Sequence, residues 1–263
     1  MQNITKRIIM VQALALILFL CLWHVIAVNY NNSNLFPSPY FVITNSFPGL
    51  ALFSGYQTPS FIGAVIVILT NSFITILRII IGSAVGIIAG IIYGLLIHLF
   101  RKSRFGNATV LSFARAIPLF ALVPLFLHWF GGNDMSIYIY ISFAVFIVIA
   151  TNTYQSVFNI SPSYLHQARL LGANRFQAYQ SVVIPAILQE LVGGIRNIIG
   201  LSWAFSLGAE YLSARNGIGY LLYSSYLYAD MGKMIILGCV YSTLGISSYY
   251  LSLRLVAFVK KWN

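Results

Sequence analysis

Charged residues, and acidic ones above all, are scarce in this sequence. Only 7% of its 263 residues are charged, with four aspartates and glutamates against fifteen lysines and arginines. A soluble domain carries roughly 25% charged residues, because its surface must be wetted by water. So few charges exclude a water-soluble globular protein of this size. The 59% hydrophobic content, gathered in several runs of about twenty apolar residues, indicates instead a polytopic membrane protein.

The sequence also lacks the motifs of catalysis and of metal or nucleotide binding. Its two cysteines, Cys21 and Cys239, both fall inside apolar runs, so they indicate neither a disulfide framework nor a metal site. No G-x-x-x-x-G-K-[ST] loop is present to bind ATP phosphates. The four histidines are scattered, without a Ser/His/Asp or Cys/His grouping. We therefore predict no enzyme activity, no catalytic residue, and no metal or cofactor bound by this chain.

The net charge of +11 does not indicate a nucleic-acid partner. The basic residues stand in small groups between the apolar runs, such as Lys6-Arg7, Arg101-Lys102-Ser103-Arg104 and Lys260-Lys261. No basic face with interleaved aromatic residues and no nucleic-acid-binding module is present. Loop clusters of this kind are typical of cytoplasmic loops, where they orient transmembrane helices.

We predict an all-α fold, a polytopic bundle of about six transmembrane helices. Residues 8–28 exceed the usual apolar core of a signal peptide, about 7–15 residues, so a retained helix is favoured over a cleaved signal. Residues 29–60 are polar and rich in turn residues, which predicts a loop. The predicted spans are 8–28, 75–99, 116–130 with a start as early as 108, 135–158, 184–207 and 234–258, and a tight loop covers 131–134.

The second apolar run, residues 61–100, is too long for one crossing. We expect its first part, 61–74, either to lie at the membrane interface or to extend a tilted helix. Four glycines at intervals of four follow, at Gly82, Gly86, Gly90 and Gly94. On a helix they form one smooth stripe over which a second helix can pack closely. The stripe predicts helix packing within the chain or, alternatively, a subunit interface.

The distribution of basic residues predicts that both termini are cytoplasmic. In that orientation only Arg215 and Lys233 lie outside, while Arg78 and Arg196 fall within spans. Such a bias follows the positive-inside rule. The eleven basic residues on the cytoplasmic side are Lys6, Arg7, Arg101, Lys102, Arg104, Arg115, Arg169, Arg175, Arg254, Lys260 and Lys261.

A polar strip at 161–185 interrupts the apolar runs on the predicted cytoplasmic side. Ser161 and Pro162 are typical of a helix start, Gly172 of a helix end, and Asn174 of a second helix cap. We expect one apolar side from Leu165, Ala168 and Leu171 on the first helix, and another from Phe176, Tyr179 and Val183 on the second. Pro185 then begins the fifth span. This helix–glycine–helix elbow either docks into a soluble partner or rests on lipid headgroups.

The elbow resembles the cytoplasmic signature loop of permease subunits of binding-protein-dependent ABC importers. That family pattern consists of Glu-Ala-Ala, three further residues, Gly and, about ten residues later, Ile-x-Leu-Pro. The residues that match it here are Ala168, Gly172, Val183 and Pro185. Arg169-Leu170-Leu171-Gly172-Ala173 also follows the R-x-L-G-A sequence that is common in the family. "FPSPYFVI" (36–43), "AIPLFALVPLFLHWFG" (116–131) and "GLSWAFSLGAEYL" with "NGIGYLL" (200–222) extend the resemblance over nearly the whole chain, to the subgroup for sulfonates, taurine, nitrate and related nutrients. Two positions depart from the pattern. His166-Gln167 replaces Glu-Ala, and Leu119 stands where a second proline is common.

The resemblance implies a type I importer permease that works by alternating access. Residues 1–60 are expected to hold the N-terminal helix and an external loop, and residues 61–263 a core of about five helices with a coupling loop at 159–184. The implied partners are a cytoplasmic ABC ATPase dimer that binds the ATP, a second and identical permease subunit, an extracytoplasmic substrate-binding protein and the lipid bilayer. The implied location is the bacterial plasma (inner) membrane. The residues assigned to ATPase coupling are Leu165, His166, Gln167, Ala168, Arg169, Leu171, Gly172, Phe176 and Pro185.

Ionisable residues inside the predicted spans are candidates for the translocation pathway, because such residues are costly in a bilayer. Glu190 and Arg196 lie about 120° apart on a helix and are not expected to pair with each other. Arg196 either meets an anionic substrate or bonds to backbone carbonyls or a neighbouring subunit, and Glu190 serves the pathway or the elbow. The predicted pathway residues are Arg78, Glu190, Arg196, Ser202 and Trp203.

Two other functions fit a polytopic membrane protein. A secondary transporter or channel would act without an ATPase, but the paired midplane carboxylates or inverted repeat expected of a secondary transporter are not found. A scaffold that has lost transport is supported only by His166-Gln167. The predicted function is therefore the permease subunit of an ATP-driven importer for a small nutrient, with an anion such as a sulfonate, taurine or nitrate as the expected substrate.

Overall fold

The described part of the chain is entirely helical in a computed structural model. The model describes residues 2–30, 32–99 and 104–260. Four short helical segments connect α1 to α2, at Pro39–Phe41, Val42–Ser46, Phe47–Gly49 and Leu50–Ser54. The predicted all-α fold is confirmed. The helices are α1 (Gln2–Tyr30), α2 (Phe61–Leu99), α3 (Arg104–Ala116), α4 (Val123–Phe130), α5 (Asp134–Asn159), α6 (Pro162–Leu170), α7 (Arg175–Ala178), α8 (Ile184–Ser213), α9 (Ile218–Leu227) and α10 (Met231–Lys260).

Four helices in the described residues are long and apolar enough to cross a membrane. They are Met10–Tyr30, Phe61–Ile97, Asp134–Asn159 and Met231–Arg254. A fifth crossing results if the bent pair Thr109–Ala116 and Leu119–Phe130 counts as one span. The fifth predicted span, 184–207, corresponds to α8, which has 30 residues and carries Glu190, Arg196 and Glu210 along its length.

The chain divides into two compact units. The first contains Met1–Ser72 and Leu221–Tyr241. Within it, the prediction of a plain loop at 29–60 is wrong, because the short helical segments bury Leu50 and Ala51 completely. Polar groups fix this region: the Trp23 indole N–H donates to the Pro37 carbonyl at 2.9 Å. The Ser38 hydroxyl accepts from the Phe41 N–H at 3.3 Å, as a helix cap.

The second unit contains Phe73–Tyr220 and Ser242–Asn263. Its core is an aromatic and aliphatic cluster contributed by α4, α5 and α8. Phe126 of α4 stacks edge-on against Tyr140 of α5, with ring centroids 5.6 Å apart. Tyr140 in turn meets Phe205 of α8. Helices α5 and α8 also carry residues of the candidate functional sites that are described below.

Helix α2 runs without interruption for 39 residues, about 58 Å at 1.5 Å per residue. Residues 61–74 therefore extend the helix, and the alternative of a separate interfacial segment is not adopted. The glycine stripe packs against α5 of the same chain. A Cβ added at Gly82 would lie 2.8 Å from the Ile141 Cβ, and one at Gly94 would lie 2.6 Å from the Thr153 Cβ. The stripe is an intramolecular packing surface.

The predicted span at 116–130, with a start as early as 108, is not one straight helix. The chain bends by 84° between α3 and the 3₁₀ turn Leu119–Leu122 that leads into α4. Pro118 adopts an extended conformation at the bend, because its ring and its missing N–H disfavour continuation of the preceding helix. The Tyr140 hydroxyl donates to the Leu119 carbonyl at 3.2 Å, which satisfies an acceptor that the break leaves free.

Candidate functional site

The elbow (residues 161–185) begins with a capped helix. Ser161 precedes α6, its side chain accepts from the Ser163 N–H, and Pro162 occupies the first turn. Both features follow the sequence prediction, since serine caps free N–H groups and proline needs no N–H there.

A left-handed glycine ends the first helix. Gly172 has φ of +85°, and its N–H donates to the Arg169 carbonyl at 3.0 Å. The Ala173 N–H reaches back to the Ala168 carbonyl at 3.0 Å. These bonds satisfy carbonyls at the helix end, and the positive φ favours glycine over any residue with a Cβ.

A reciprocal cap begins the second helix. The Gln177 N–H donates to the Asn174 side chain at 2.9 Å, and the Asn174 N–H donates to the Gln177 side chain at 2.8 Å. This confirms Asn174 as the predicted cap and adds Gln177 as its partner. Helix α7 then continues through a π-helical turn, Tyr179–Val183, directly into α8. Pro185 stands in the first turn of α8 as predicted.

The elbow has a buried root and an exposed tip. At the root, Leu165 and Tyr179 pack against a buried cluster of Val157, Val183 and Ile187. We define the tip as Leu170, Leu171, Gly172 and Phe176. Its three large side chains are 76%, 88% and 76% exposed, respectively. The elbow therefore displays apolar groups at its turn, while most of the apolar side chains along its helices face inward.

The predicted apolar sides of the elbow are partly wrong. Leu165 packs inward, whereas Leu171 points outward, because Leu171 is the C-cap residue and no longer follows the helical repeat. Phe176 is exposed while Tyr179 and Val183 are not. Leu170 was absent from the predicted coupling set although it is among the most exposed apolar residues of the elbow.

The polar residues of α6 are accessible. His166, Gln167 and Arg169 are exposed and Ala168 is half-buried. No aspartate or glutamate occurs anywhere from residue 135 to residue 189. Among the described residues, no carboxylate lies within 4.0 Å of Arg169. Within residues 161–185 the surface of the elbow therefore carries only positive or neutral side chains.

A buried ion cluster lies far from the elbow in sequence, around Arg78 of α2. Both Arg78 and Glu210 of α8 are fully buried. Arg78 Nη1 donates to Glu210 Oε1 and to the Asn216 carbonyl, each at 2.9 Å. Nη2 donates to Asp134 Oδ1 at 2.6 Å and to the Asn216 side chain. Four protein oxygens thus surround the guanidinium. The Asp134 side chain is 56% exposed and Asn216 is half-buried.

The loop before α9 closes over this cluster. The Gly219 N–H donates to Glu210 Oε2 at 3.0 Å, and the Thr75 hydroxyl donates to the same oxygen at 2.9 Å. Gly217 has φ of +97°, and a Cβ there would lie 2.6 Å from Glu210 Oε2. Glycine is required for both the conformation and the close approach. The "NGIG" motif therefore serves to seal a buried ion pair.

The predicted pathway residues whose side chains are described, Arg78, Ser202 and Trp203, bond to different partners. Ser202 and Trp203 are buried within the second unit. The Ser202 hydroxyl meets Ser83 at 3.0 Å, and the Trp203 indole N–H donates to Ser248 at 2.7 Å. Glu190 and Arg196 belong to α8, but their side chains lie outside the described part of the structure. A pathway role for any of these residues stays a prediction.

Sequence reasoning missed Glu210, Asp134 and Asn216 as partners of Arg78, and Thr75 as a partner of Glu210. One signal was available: the sequence offers only four carboxylates, and a buried arginine needs one of them. The choice among the four depended on the tertiary fold. The described residues contain no group of three His, Cys, Asp or Glu side chains arranged to hold a metal ion.

Several known proteins are similar to this chain in sequence. A protein of Methanocaldococcus jannaschii assigned as an ABC transporter permease is 30% identical over 224 residues, which cover 83% of this chain and 80% of that protein. A protein of Bacillus subtilis assigned as an aliphatic sulfonates transport permease is 26% identical, covering 61% of this chain and 58% of that protein. The taurine transport system permease protein of Escherichia coli is 29% identical, covering 44% and 42%.

Solved structures match the fold at lower sequence identity. A methionine ABC transporter in inward-facing conformations matches 74% of this chain and 97% of its own, with a TM-score of 0.66 at 17% identity. The family profile described as the inner membrane component of binding-protein-dependent transport systems matches residues 82–261. Together with the apolar helices, these similarities show that the chain is a multi-pass membrane protein and belongs to the permease family of binding-protein-dependent ABC transporters.

Proposed function

We propose that this permease is part of an ATP-driven importer and couples to a separate cytoplasmic ATPase dimer through the tip of the elbow. The observation that carries the proposal is the exposure of Leu170, Leu171 and Phe176 on a rigid, doubly capped turn. Apolar side chains presented together in this way are typical of a protein-interaction site. A second copy of the chain, an extracytoplasmic binding protein and cytoplasmic termini complete the proposed assembly.

The backbone supports a mechanical role for the elbow. Because α7 passes through the π-helical turn into α8, hydrogen-bonded backbone connects the tip to a 30-residue helix. The root is packed against Val157 and Ile187, so movement of the tip would be passed to α5 and α8. Movement driven by ATP binding would then tilt the helices that border the pathway, which is the essence of alternating access.

We propose a small anionic nutrient as the substrate. The support comes from the relatives named for aliphatic sulfonates and taurine, and from Arg196 within α8. Arg78 contributes less to this proposal, since protein oxygens already occupy both of its terminal nitrogens. Another relative, from Chloroflexus aurantiacus, is named for riboflavin transport at 27% identity. Substrate selection therefore rests largely with the binding protein.

Purification of the tagged protein in mild detergent tests the coupling proposal. We expect an ABC ATPase to accompany the wild type and to be lost from Gly172→Trp, because any side chain is strained at a φ of +85° and indole would deform the tip. Gly55→Trp is the matched control: Gly55 has a φ of +84° and, like Gly172, no atom within 4 Å of an added Cβ, but it lies on the opposite side of the membrane in the proposed orientation. Retention of the ATPase by Gly172→Trp, or its absence from the wild type, would contradict the proposal.

A further inference from the structure

The positive charge of Arg169, beside the elbow tip, affects which proteins can bind the elbow. Arg169 is exposed next to Leu170 and Leu171, so a groove that receives the tip also removes water from this guanidinium. Burying an unpaired charge is strongly unfavourable, whereas a carboxylate at hydrogen-bond distance offsets the lost hydration. The docked arginine therefore needs a counter-charge.

Among the residues that the structure describes, no carboxylate provides a counter-charge to Arg169. No carboxylate occurs between Asp134 and Glu190. Asp134 is bonded to Arg78 at 2.6 Å and Glu210 is enclosed in the same cluster. Asp230 pairs with Lys233 at 3.1 Å in the other compact unit. Glu190 belongs to α8, beyond the root of the elbow.

The shape of the exposed surface favours a protein groove over the membrane. A helix that lies on lipid exposes an apolar stripe along its whole length. In α6, Leu165 faces the buried root instead. The most exposed apolar residues of the elbow are at the turn, in Leu170, Leu171 and Phe176, which are 76–88% exposed, while Tyr164 near the start of α6 is 60% exposed. A compact projection of this kind fits a concave pocket.

Resting on the proposed ATPase coupling, we infer that the elbow docks into an ATPase groove with an apolar floor and an acidic rim. Leu170, Leu171 and Phe176 fill the floor, and at least one aspartate or glutamate of the ATPase accepts hydrogen bonds from Arg169. Such a pair is bidentate and directional, so it selects for an ATPase with this charge pattern. ATPases whose docking groove is basic are excluded by repulsion from Arg169.

Charge reversal at Arg169 tests the acidic rim, with the co-purifying ATPase as the probe. We expect Arg169→Glu to weaken ATPase retention by roughly 30-fold or more, as for a broken charge pair at an interface. Arg169→Gln should weaken it less, because no repulsion replaces the lost pair. Arg215→Glu makes the same charge change at an exposed residue on the other side of the membrane and should retain the ATPase. A lysine in place of one rim carboxylate of the ATPase should restore binding to Arg169→Glu.

The outcomes separate this inference from the coupling proposal. If Gly172→Trp loses the ATPase but Arg169→Glu retains it at the wild-type level, the acidic rim is overturned and coupling stands. If Gly172→Trp also retains the ATPase, the coupling proposal itself fails. Reconstitution into vesicles of phosphatidylcholine, with or without phosphatidylglycerol, adds a third comparison. A loss in Arg169→Glu that appears only with the anionic lipid would show that the arginine binds headgroups, which also overturns the acidic rim.

Discussion

Arg78 shows how a single residue can organise a membrane domain. Its guanidinium joins α2 to α8, to the start of α5 and to the loop at Asn216. In a bilayer the alternative for the buried pair of Arg78 and Glu210 is an unsatisfied charge in hydrocarbon, which is expensive. The cluster is therefore best understood as a structural centre of the second compact unit.

Removing Glu210, the buried partner of Arg78, should destabilise the protein far more than removing the charge of Asp134, the exposed partner. Glu210→Ala leaves Arg78 buried without its main counter-charge, and we expect a loss of about 3–5 kcal/mol in the free energy of unfolding. Asp134→Asn keeps the size of the side chain and changes a group that is 56% exposed, so the loss should be below about 1 kcal/mol. Thermal unfolding in detergent measures both. Equal losses from the two variants would show that the stability each partner of Arg78 contributes does not depend on how deeply that partner is buried.

Residue-scale features were partly predictable from the sequence. Ser161, Gly172 and Asn174 stand where local hydrogen bonding demands their side chains or their lack of one, so each could be assigned from its neighbours. The Arg78–Glu210 pair is separated by 132 residues, and no local pattern connects its members. Leu171 was misassigned because the last residue of a helix leaves the repeat on which the assignment depended.

The glycine stripe is the clearest case in which an element's pattern predicts its packing. Gly82, Gly86, Gly90 and Gly94 share one face of α2 because their spacing is close to the helical repeat. The sequence left open whether the partner helix came from the same chain. Contact with Ile141, Ile149 and Thr153 of α5 answers that question.

A large residue in the stripe should separate α2 from α5. A Cβ at Gly90 would already lie 2.7 Å from the Ile149 Cβ, so Gly90→Leu forces the helices apart and should cost about 1–3 kcal/mol or more. Gly200→Leu is the matched control in α8, where no atom lies within 4 Å of the added Cβ. Detergent stability of the two variants gives the comparison. If Gly90→Leu is as stable as Gly200→Leu, then α2 and α5 do not pack as described.

The broken third span was not predicted, although the sequence contains its cause. Pro118 lies within an apolar stretch, and a proline in a helix either kinks it or ends it. The 84° bend depends on tertiary contacts that the sequence does not display. One of these is the Tyr140 hydroxyl on the Leu119 carbonyl, and another is the close approach of Phe120 to Gly208.

At the scale of the whole molecule, composition alone indicated a membrane protein, and the helices bear this out. The basic residues further predict that the elbow and both termini are cytoplasmic. Individual helix boundaries were less predictable, because helix ends depend on caps and packing as well as on hydropathy. Helix α1, for example, extends over Gln2–Tyr30, beyond the predicted 8–28.

Accessibility to a membrane-impermeant thiol reagent tests the orientation. In a background with Cys21 and Cys239 replaced by alanine, Ser163→Cys should react only in inside-out vesicles. Gly132→Cys should react only in right-side-out vesicles. Both positions are exposed, so a lack of reaction reflects the side of the membrane rather than burial. Labelling of Ser163→Cys from the outer face would reverse the proposed topology and remove the elbow from any cytoplasmic ATPase.

Because of the π-helical turn at Tyr179–Val183, the number of residues in the elbow determines the direction in which its tip points. The Ile184 N–H bonds to the Tyr179 carbonyl, five residues back, so this turn holds one residue more than an α-helical turn. Each residue of an α-helix turns the chain by about 100°. Loss of one residue from this turn would leave the elbow nearly the same length but would rotate its tip around the helix axis. Insertions and deletions between Gly172 and Pro185 would therefore change the direction of the surface that we propose to bind the ATPase.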